Sequence, residues 1–168
     1  MSTSAYIALK EKDGKVRAVY SHGDGYYEYV GKILNLHYKN YEKVKSLINL
    51  GDISELGESP EATEAVKRWG FDYRYNEDFL NSEFAVEDEY GFIRDIDDGK
   101  GTIAYHRDRG EELYINIYED EECFLKKLPD YIEYIYLFKD GEWFSVVENG
   151  SRLIPLSSIK DCREPALS

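Results

Sequence analysis

A chain of 168 residues, 42% apolar and 15% aromatic, fits one domain burying roughly 70% of its unfolded surface, so an ordinary folded core is expected. Thirty-four acidic against 21 basic side chains give a net charge of −13, a field that repels nucleic acid and attracts basic protein surfaces. Only four prolines and no low-complexity tract exclude wholesale disorder, and no run approaches the roughly 18 to 20 apolar residues that cross a bilayer.

In chain order, Tyr6 to Lys10 and Val16 to Tyr20 flank Lys12-Asp13-Gly14 and predict an opening β-hairpin. After His22-Gly23-Asp24-Gly25, the apolar positions Tyr26, Tyr29, Val30, Ile33, Leu34 and His37 recur at helical spacing. Tyr41, Val44, Leu47 and Ile48 do the same, with Asn40 placed to cap and Gly51 just beyond. Ser59-Pro60-Glu61 reads as the start of a third helix, which Gly70 stops. The stretch from Asp72 to Asp98 has no clean period and is expected to be mostly irregular, with a short helix near Asp78 to Phe84. Thr102 to His106 and Leu113 to Tyr118 read as strands joined by Asp108-Arg109-Gly110-Glu111, and Glu121 to Leu128 as a helix before Pro129. Tyr131 to Phe138, Trp143 to Val147 and Leu153-Ile154, separated by Asp140-Gly141 and Asn149-Gly150, predict a closing β-meander. The fold class is α+β: a mainly antiparallel sheet with helices packed on one face. Residues 1–168 read as a single domain with an acidic, aromatic-rich insertion at about 72–98.

The charge is uneven. Residues 1–50 hold eight Lys and Arg against five Asp and Glu, whereas residues 51–168 hold 13 against 29. The densest part includes Asp72, Glu77, Asp78, Glu87, Asp88, Glu89, Asp95, Asp97 and Asp98, interleaved with Tyr73, Tyr75, Phe79, Phe84, Tyr90 and Phe92. Glu119-Asp120-Glu121-Glu122 is a second group. Acidic runs commonly form a solvated face. Interleaved rings point instead to a protein-binding surface with aromatic anchors, and packing on the domain's own core accounts for them as well.

Candidate chemistry is sparse. His22, Asp24, Gly25 and Tyr26 lie between a strand and a helix, where backbone N–H groups meet an anion in some proteins and glycines merely turn the chain in more. His106-Arg107-Asp108-Arg109, read as a strand, puts Arg107 and Arg109 on one side, an arrangement suited to a phosphate or to internal ion pairs. His22, His37 and His106 are far apart, and no metal-ligand spacing is present, so no metal is expected. Cys123 and Cys162 are too few for a disulfide framework and read as reduced, packed thiols. Neither has an adjacent His and no Gly-x-Ser-x-Gly elbow occurs, so no catalytic residue and no cofactor is assigned.

The ordered set Met1-Ser2-Thr3, His22-x-Asp24-Gly25-Tyr26, Val30-Gly31, Leu47-Ile48-x-Leu50-Gly51-Asp52-Ile53-Ser54-x-Leu56-Gly57 and Ala104-Tyr105-His106-Arg107-Asp108-Arg109-Gly110-Glu111 resembles a group of short phage and prophage proteins. Tyr136-Leu137-Phe138-x-Asp140-Gly141-x-Trp143 is similar to their C-terminal hairpin. The resemblance omits the acidic middle, implies a viral or mobile-element origin and brings no activity with it.

The expectation is therefore a non-enzymatic, phage-type accessory protein in the host cytoplasm, Met1-Ser2-Thr3-Ser4 giving no sign of a secretion leader. Its partner would be a basic, nucleic-acid-binding host defence protein such as a CRISPR effector or restriction enzyme, met by carboxylates that mimic backbone phosphates. The alternatives are a binder of a nucleotide signal using Arg107, Arg109 and the His22 loop, and an enzyme centred on His106 and Asp108.

Overall fold

The computed structural model describes residues 3–164, so Met1 and Ser2 of the phage-like pattern lie outside the described residues. The opening hairpin forms as expected: β1 (Ala5–Lys10) pairs antiparallel with β2 (Val16–Ser21), setting Tyr6 opposite Tyr20. A π-helical turn, Tyr27–Gly31, in which the Gly31 N–H donates to the Tyr26 carbonyl, runs into α1 (Lys32–His37). α2 (Tyr41–Ile48) starts where the Asn40 side chain accepts the Lys43 N–H at 2.8 Å.

β3 (Ile53–Glu55) is followed by α3 (Glu64–Trp69), which begins later than Pro60 because the Thr63 side chain, accepting the Val66 N–H, is its cap. Gly70 stops it, with φ at 85°. The acidic stretch is more regular than its sequence suggested. α4 (Glu77–Leu80) is capped by Asn76, and β4 (Ala85–Glu87) and β5 (Ile93–Asp95) form a two-stranded hairpin of their own.

β6 (Ile103–Ala104) is only two residues long, and Tyr105–Arg109 is the helical turn α5, not the continuation of a strand. The physical reason is local: the Asp108 carboxylate reaches back to accept the Ala104 N–H at 2.7 Å, satisfying a donor at the start of the turn. β7 (Asn116–Tyr118) pairs with β2 rather than with β6, which joins β3, so the hairpin expected across residues 102–118 does not form. α6 (Glu121–Lys126) precedes the meander β8 (Tyr134–Lys139), β9 (Glu142–Val147) and β10 (Arg152–Pro155). The large sheet runs β10-β9-β8-β1-β2-β3-β6, with β7 also on β2. β1–β8 and β2–β3 are its parallel pairs, and the other pairs are antiparallel.

Strand alternation builds two cores, one on each face of an α+β fold. On the first, Ile7, Leu9, Val19, Tyr136 and Phe138 meet Leu34 of α1 and Val44, Leu47 and Ile48 of α2. On the second, Tyr6, Ala8, Ala18, Ile135 and Leu137 meet Phe124, so α6 adds a helix to the face left open by the others. Residues 58–101 leave and rejoin the sheet at one point, where Gly57 and Gly101 touch: a Cβ on Gly57 would stand 2.1 Å from the Gly101 carbonyl oxygen. Between those ends lies a third small cluster of Ala65, Val66, Tyr73 and Phe79, closed by Ile103. Among the described residues no helix is long and apolar enough to cross a membrane.

Candidate functional site

The 58–101 excursion divides its aromatic side chains into two sets. Tyr73, 2% exposed, and Phe79 are core residues, their rings edge to face at 4.9 Å. Trp69 packs edge-on against both Phe79 and Phe84. Burial pushes the Tyr73 hydroxyl up to about 12, so it stays neutral. Tyr75, Tyr90 and Phe92 point the other way, at 85%, 76% and 64% exposed, and Val86, Ile93 and Ile96 are exposed beside them in sequence.

The β4–β5 register explains the display. Ala85 and Asp95 form the first pair and pack inward. Glu87 and Ile93 lie on the same side two pairs further out, where the hairpin has run past the small core and both are exposed. The tip is fixed by Asp88, which accepts the N–H groups of Tyr90 and Phe92, each at 2.9 Å, and the Arg94 Nε at 2.6 Å. The Arg94 hydrogen bond is the main cause holding the Asp88 carboxyl below its usual range. Tyr90 and Phe92 are thus carried on a braced turn rather than on slack chain.

The acidic residues singled out from sequence part in the same way. Asp95, 4% exposed, accepts the Asp97 N–H and shapes a turn, so Asp95 and Tyr73 are corrected from partner-facing to structural. Asp88 and Asp98 pair with Arg94, and Asp97 with Lys100. Asp72, Glu77, Asp78, Glu87 and Glu89 are exposed and form no ion pair among the described residues. The remaining cation of the stretch, Arg74, is taken by Glu55 at 2.8 Å. Local positive charge is therefore spent internally, and with Glu83 six carboxylates of the stretch face solvent without an ion pair among the described residues.

The second acidic group, residues 119–122, is largely structural. Asp120 caps α6 through the Cys123 N–H, Glu122 pairs with Lys126, and Glu121 binds Lys10 and Lys139 at 3.2 and 2.9 Å. Burial opposes ionisation of Glu121, but the two lysines win and hold its carboxyl below the ordinary value.

The arginine motif is likewise satisfied from within. In the helical turn α5, Arg107 and Arg109 are about 200° apart around the axis, so the shared face expected of a strand is lost. Arg107 donates to the carbonyls of Pro60 and Thr102 and to both Asp108 oxygens, tying the excursion to the sheet. Arg109 pairs with Glu111 and lies 4.4 Å from the Phe71 ring centre. His106 Nδ1 meets the Glu111 carbonyl at 2.6 Å. His22 and this turn share one end of the sheet, since Ser21 pairs with Ile53 and Ile53 with Ala104. Gly25 answers a close approach: a Cβ there would stand 2.6 Å from the Ser4 carbonyl oxygen. Tyr26 donates to Asp24 at 3.3 Å, and the Gly25 carbonyl accepts the Tyr136 hydroxyl at 2.7 Å. Among the described residues no three His, Cys, Asp or Glu side chains converge as metal ligands.

Sequence reasoning overlooked the β4–β5 hairpin itself. Its signal was the Asp88-x-x-Gly91 turn between two short runs, Ala85-Val86-Glu87 and Ile93-Arg94-Asp95. It also overlooked a tyrosine-walled cleft on the second face of the sheet, of about 460 Å³, in which Asp52 is half-buried. Comparison with known proteins adds no further guide: no family model, no curated protein and no solved structure matches this chain.

Proposed function

We propose that this chain is a phage-type accessory protein that binds a basic, nucleic-acid-binding protein of a host cell through the 72–98 segment and blocks its nucleic-acid groove. The single observation that carries the reading is the exposure of Tyr75, Tyr90 and Phe92 in a segment whose exposed carboxylates form no ion pair among the described residues. Large exposed apolar side chains cost solubility and contribute nothing to the fold, whereas rings rimmed by charge are what a protein interface uses. The occupant is basic by charge complementarity: Glu87 and Glu89 flank the tip and Glu77 and Asp78 open α4.

In the mechanism this implies, carboxylates take positions that backbone phosphates occupy in the partner, steering encounter over about one Debye length, or ~8 Å at physiological salt. Tyr90 and Phe92 then supply desolvated contact that slows release. The partner's defence role and the host cytoplasm as the place of action rest on the resemblance to phage proteins. The excess of carboxylates supports a partner that normally binds nucleic acid.

The test is retention of host proteins on the immobilised chain, compared with the Tyr90→Ser/Phe92→Ser and Glu87→Gln/Glu89→Gln variants. A basic nucleic-acid-binding protein retained by the parent, lost with both variants and displaced by duplex DNA is expected. Equal retention by all three chains, or indifference to DNA, contradicts the proposal.

A further inference from the structure

A second feature lies away from the hairpin, on the face of the sheet that α6 covers. Tyr6 and Tyr20 are cross-strand partners on β1 and β2, and Tyr118 on β7 shares a 2.8 Å hydroxyl–hydroxyl hydrogen bond with Tyr6. The rings of Tyr6 and Tyr118 are both fixed against Phe124, at 6.2 and 5.2 Å between centres. Tyr114 and Tyr131, both exposed, complete the walls, so five tyrosines from five separate segments face one open cleft of about 460 Å³. That is within the ordinary range for a small-ligand site, roughly 300–1,000 Å³.

Asp52 enters the same cleft. Its carboxylate accepts one hydrogen bond, from the Tyr20 N–H at 3.0 Å, and forms no ion pair among the described residues. Burial, reinforced by the like charge of Glu111, pushes its carboxyl above the ordinary value. A half-buried carboxylate without a cation is costly, and charges in such places are usually paired. Glu112 adds negative charge at the rim, where it accepts the Tyr114 hydroxyl at 2.7 Å. Lys127 lines the wall that follows α6 and is the opposing charge in the cleft.

We infer that this cleft binds an organic cation, a primary ammonium or a guanidinium, with its N–H groups on Asp52 and the tyrosine hydroxyl oxygens and its carbons against the rings. Tyrosine faces attract cations, neutral hydroxyls accept their protons, and Asp52 supplies the charge. A free polyamine and the side chain of a Lys- or Arg-bearing peptide offer the same chemistry. The inference stands apart from the hairpin reading, because no residue of 72–98 lines the cleft.

The experiment is titration with spermidine and, separately, with Nα-acetyl-argininamide, followed through tyrosine ring resonances of the full chain. Saturable shifts with either probe are expected, spermidine alone marking a free polyamine and the arginine derivative alone a peptide side chain. Asp52→Asn, which keeps an oxygen for the Tyr20 N–H, should weaken binding about tenfold or more. Tyr131→Leu, at an exposed position that the fold does not need, should weaken it about threefold. Lys127→Ala should tighten binding, and Phe92→Ser should leave it unchanged, which separates this site from the hairpin. No shift up to about 10 mM of either probe, undiminished binding in Asp52→Asn and Tyr131→Leu, or loss of binding in Lys127→Ala overturns the inference.

Discussion

The central sheet and the 58–101 excursion place their aromatic side chains on opposite terms. In the core between the sheet and its first two helices, the deeply buried rings of Tyr38, Tyr136 and Trp143 each have their polar atom satisfied. The Tyr38 hydroxyl donates to the Gly57 carbonyl at 2.8 Å, Tyr136 to Gly25 at 2.7 Å and the Trp143 indole to Tyr38 at 2.8 Å. In the excursion a few rings make a minimal core while Tyr75 is exposed ahead of α4 and Tyr90 and Phe92 are exposed on the turn that Asp88 braces. The buried rings are anchored by their polar ends, and Tyr90 and Phe92 by their backbone N–H groups on Asp88. The distinction between them is energetic and can be measured.

The largest contrast is in stability. Trp143→Ala removes a buried indole and orphans the Tyr38 carbonyl, and should cost about 3–5 kcal/mol in urea denaturation. Tyr90→Ser and Phe92→Ser should stay within about 0.5 kcal/mol of the parent; a large loss there would erase the contrast. Tyr136→Phe sharpens it from the polar side, because the Gly25 carbonyl is left buried without its donor, at about 1–3 kcal/mol.

Two smaller effects depend on pH. Glu121 sits below its ordinary 4.5, so its contribution to stability is present above that value and is lost as pH falls through the lowered one. Glu121→Gln should flatten the acid limb of a stability-against-pH curve measured by thermal melting. Asp52 has the opposite sign: held above 3.8, it contributes stability that is present below that pH and is lost as pH rises through the raised value. Asp52→Asn should therefore raise stability at neutral pH, by up to about 1 kcal/mol. A lower melting temperature would show that the carboxylate itself serves the fold.

Where local signals were long, the sequence was readable. The opening hairpin, the Asn40 cap of α2, the stop at Gly70 and the closing meander all follow from patterns several residues deep. Short elements escaped. α5 has five residues, less than any periodicity can reveal, and owes its helical turn to Asp108 reaching the Ala104 N–H. The strands of the β4–β5 hairpin have three residues each and carry exposed apolar side chains on both sides, Val86 on one and Ile93 on the other, which defeats a rule that apolar means buried. Of the candidate interface, the acidic and aromatic composition was legible, but not that Tyr73 and Asp95 turn inward, because burial is decided by register. The tyrosine cleft was beyond reach for the same reason: residues 6, 20, 114, 118 and 131 meet only once β7 has chosen β2.

The central claim is that the turn carrying Phe92 meets a basic partner. Its most direct test is photo-crosslinking in host cells from p-benzoylphenylalanine placed at position 92, with position 152 on β10 as the control site. A crosslink from position 92 and not from 152, to a nucleic-acid-binding protein and fading as salt is raised in lysate, is the predicted result. No crosslink from 92, or the same adduct from both positions, would contradict it.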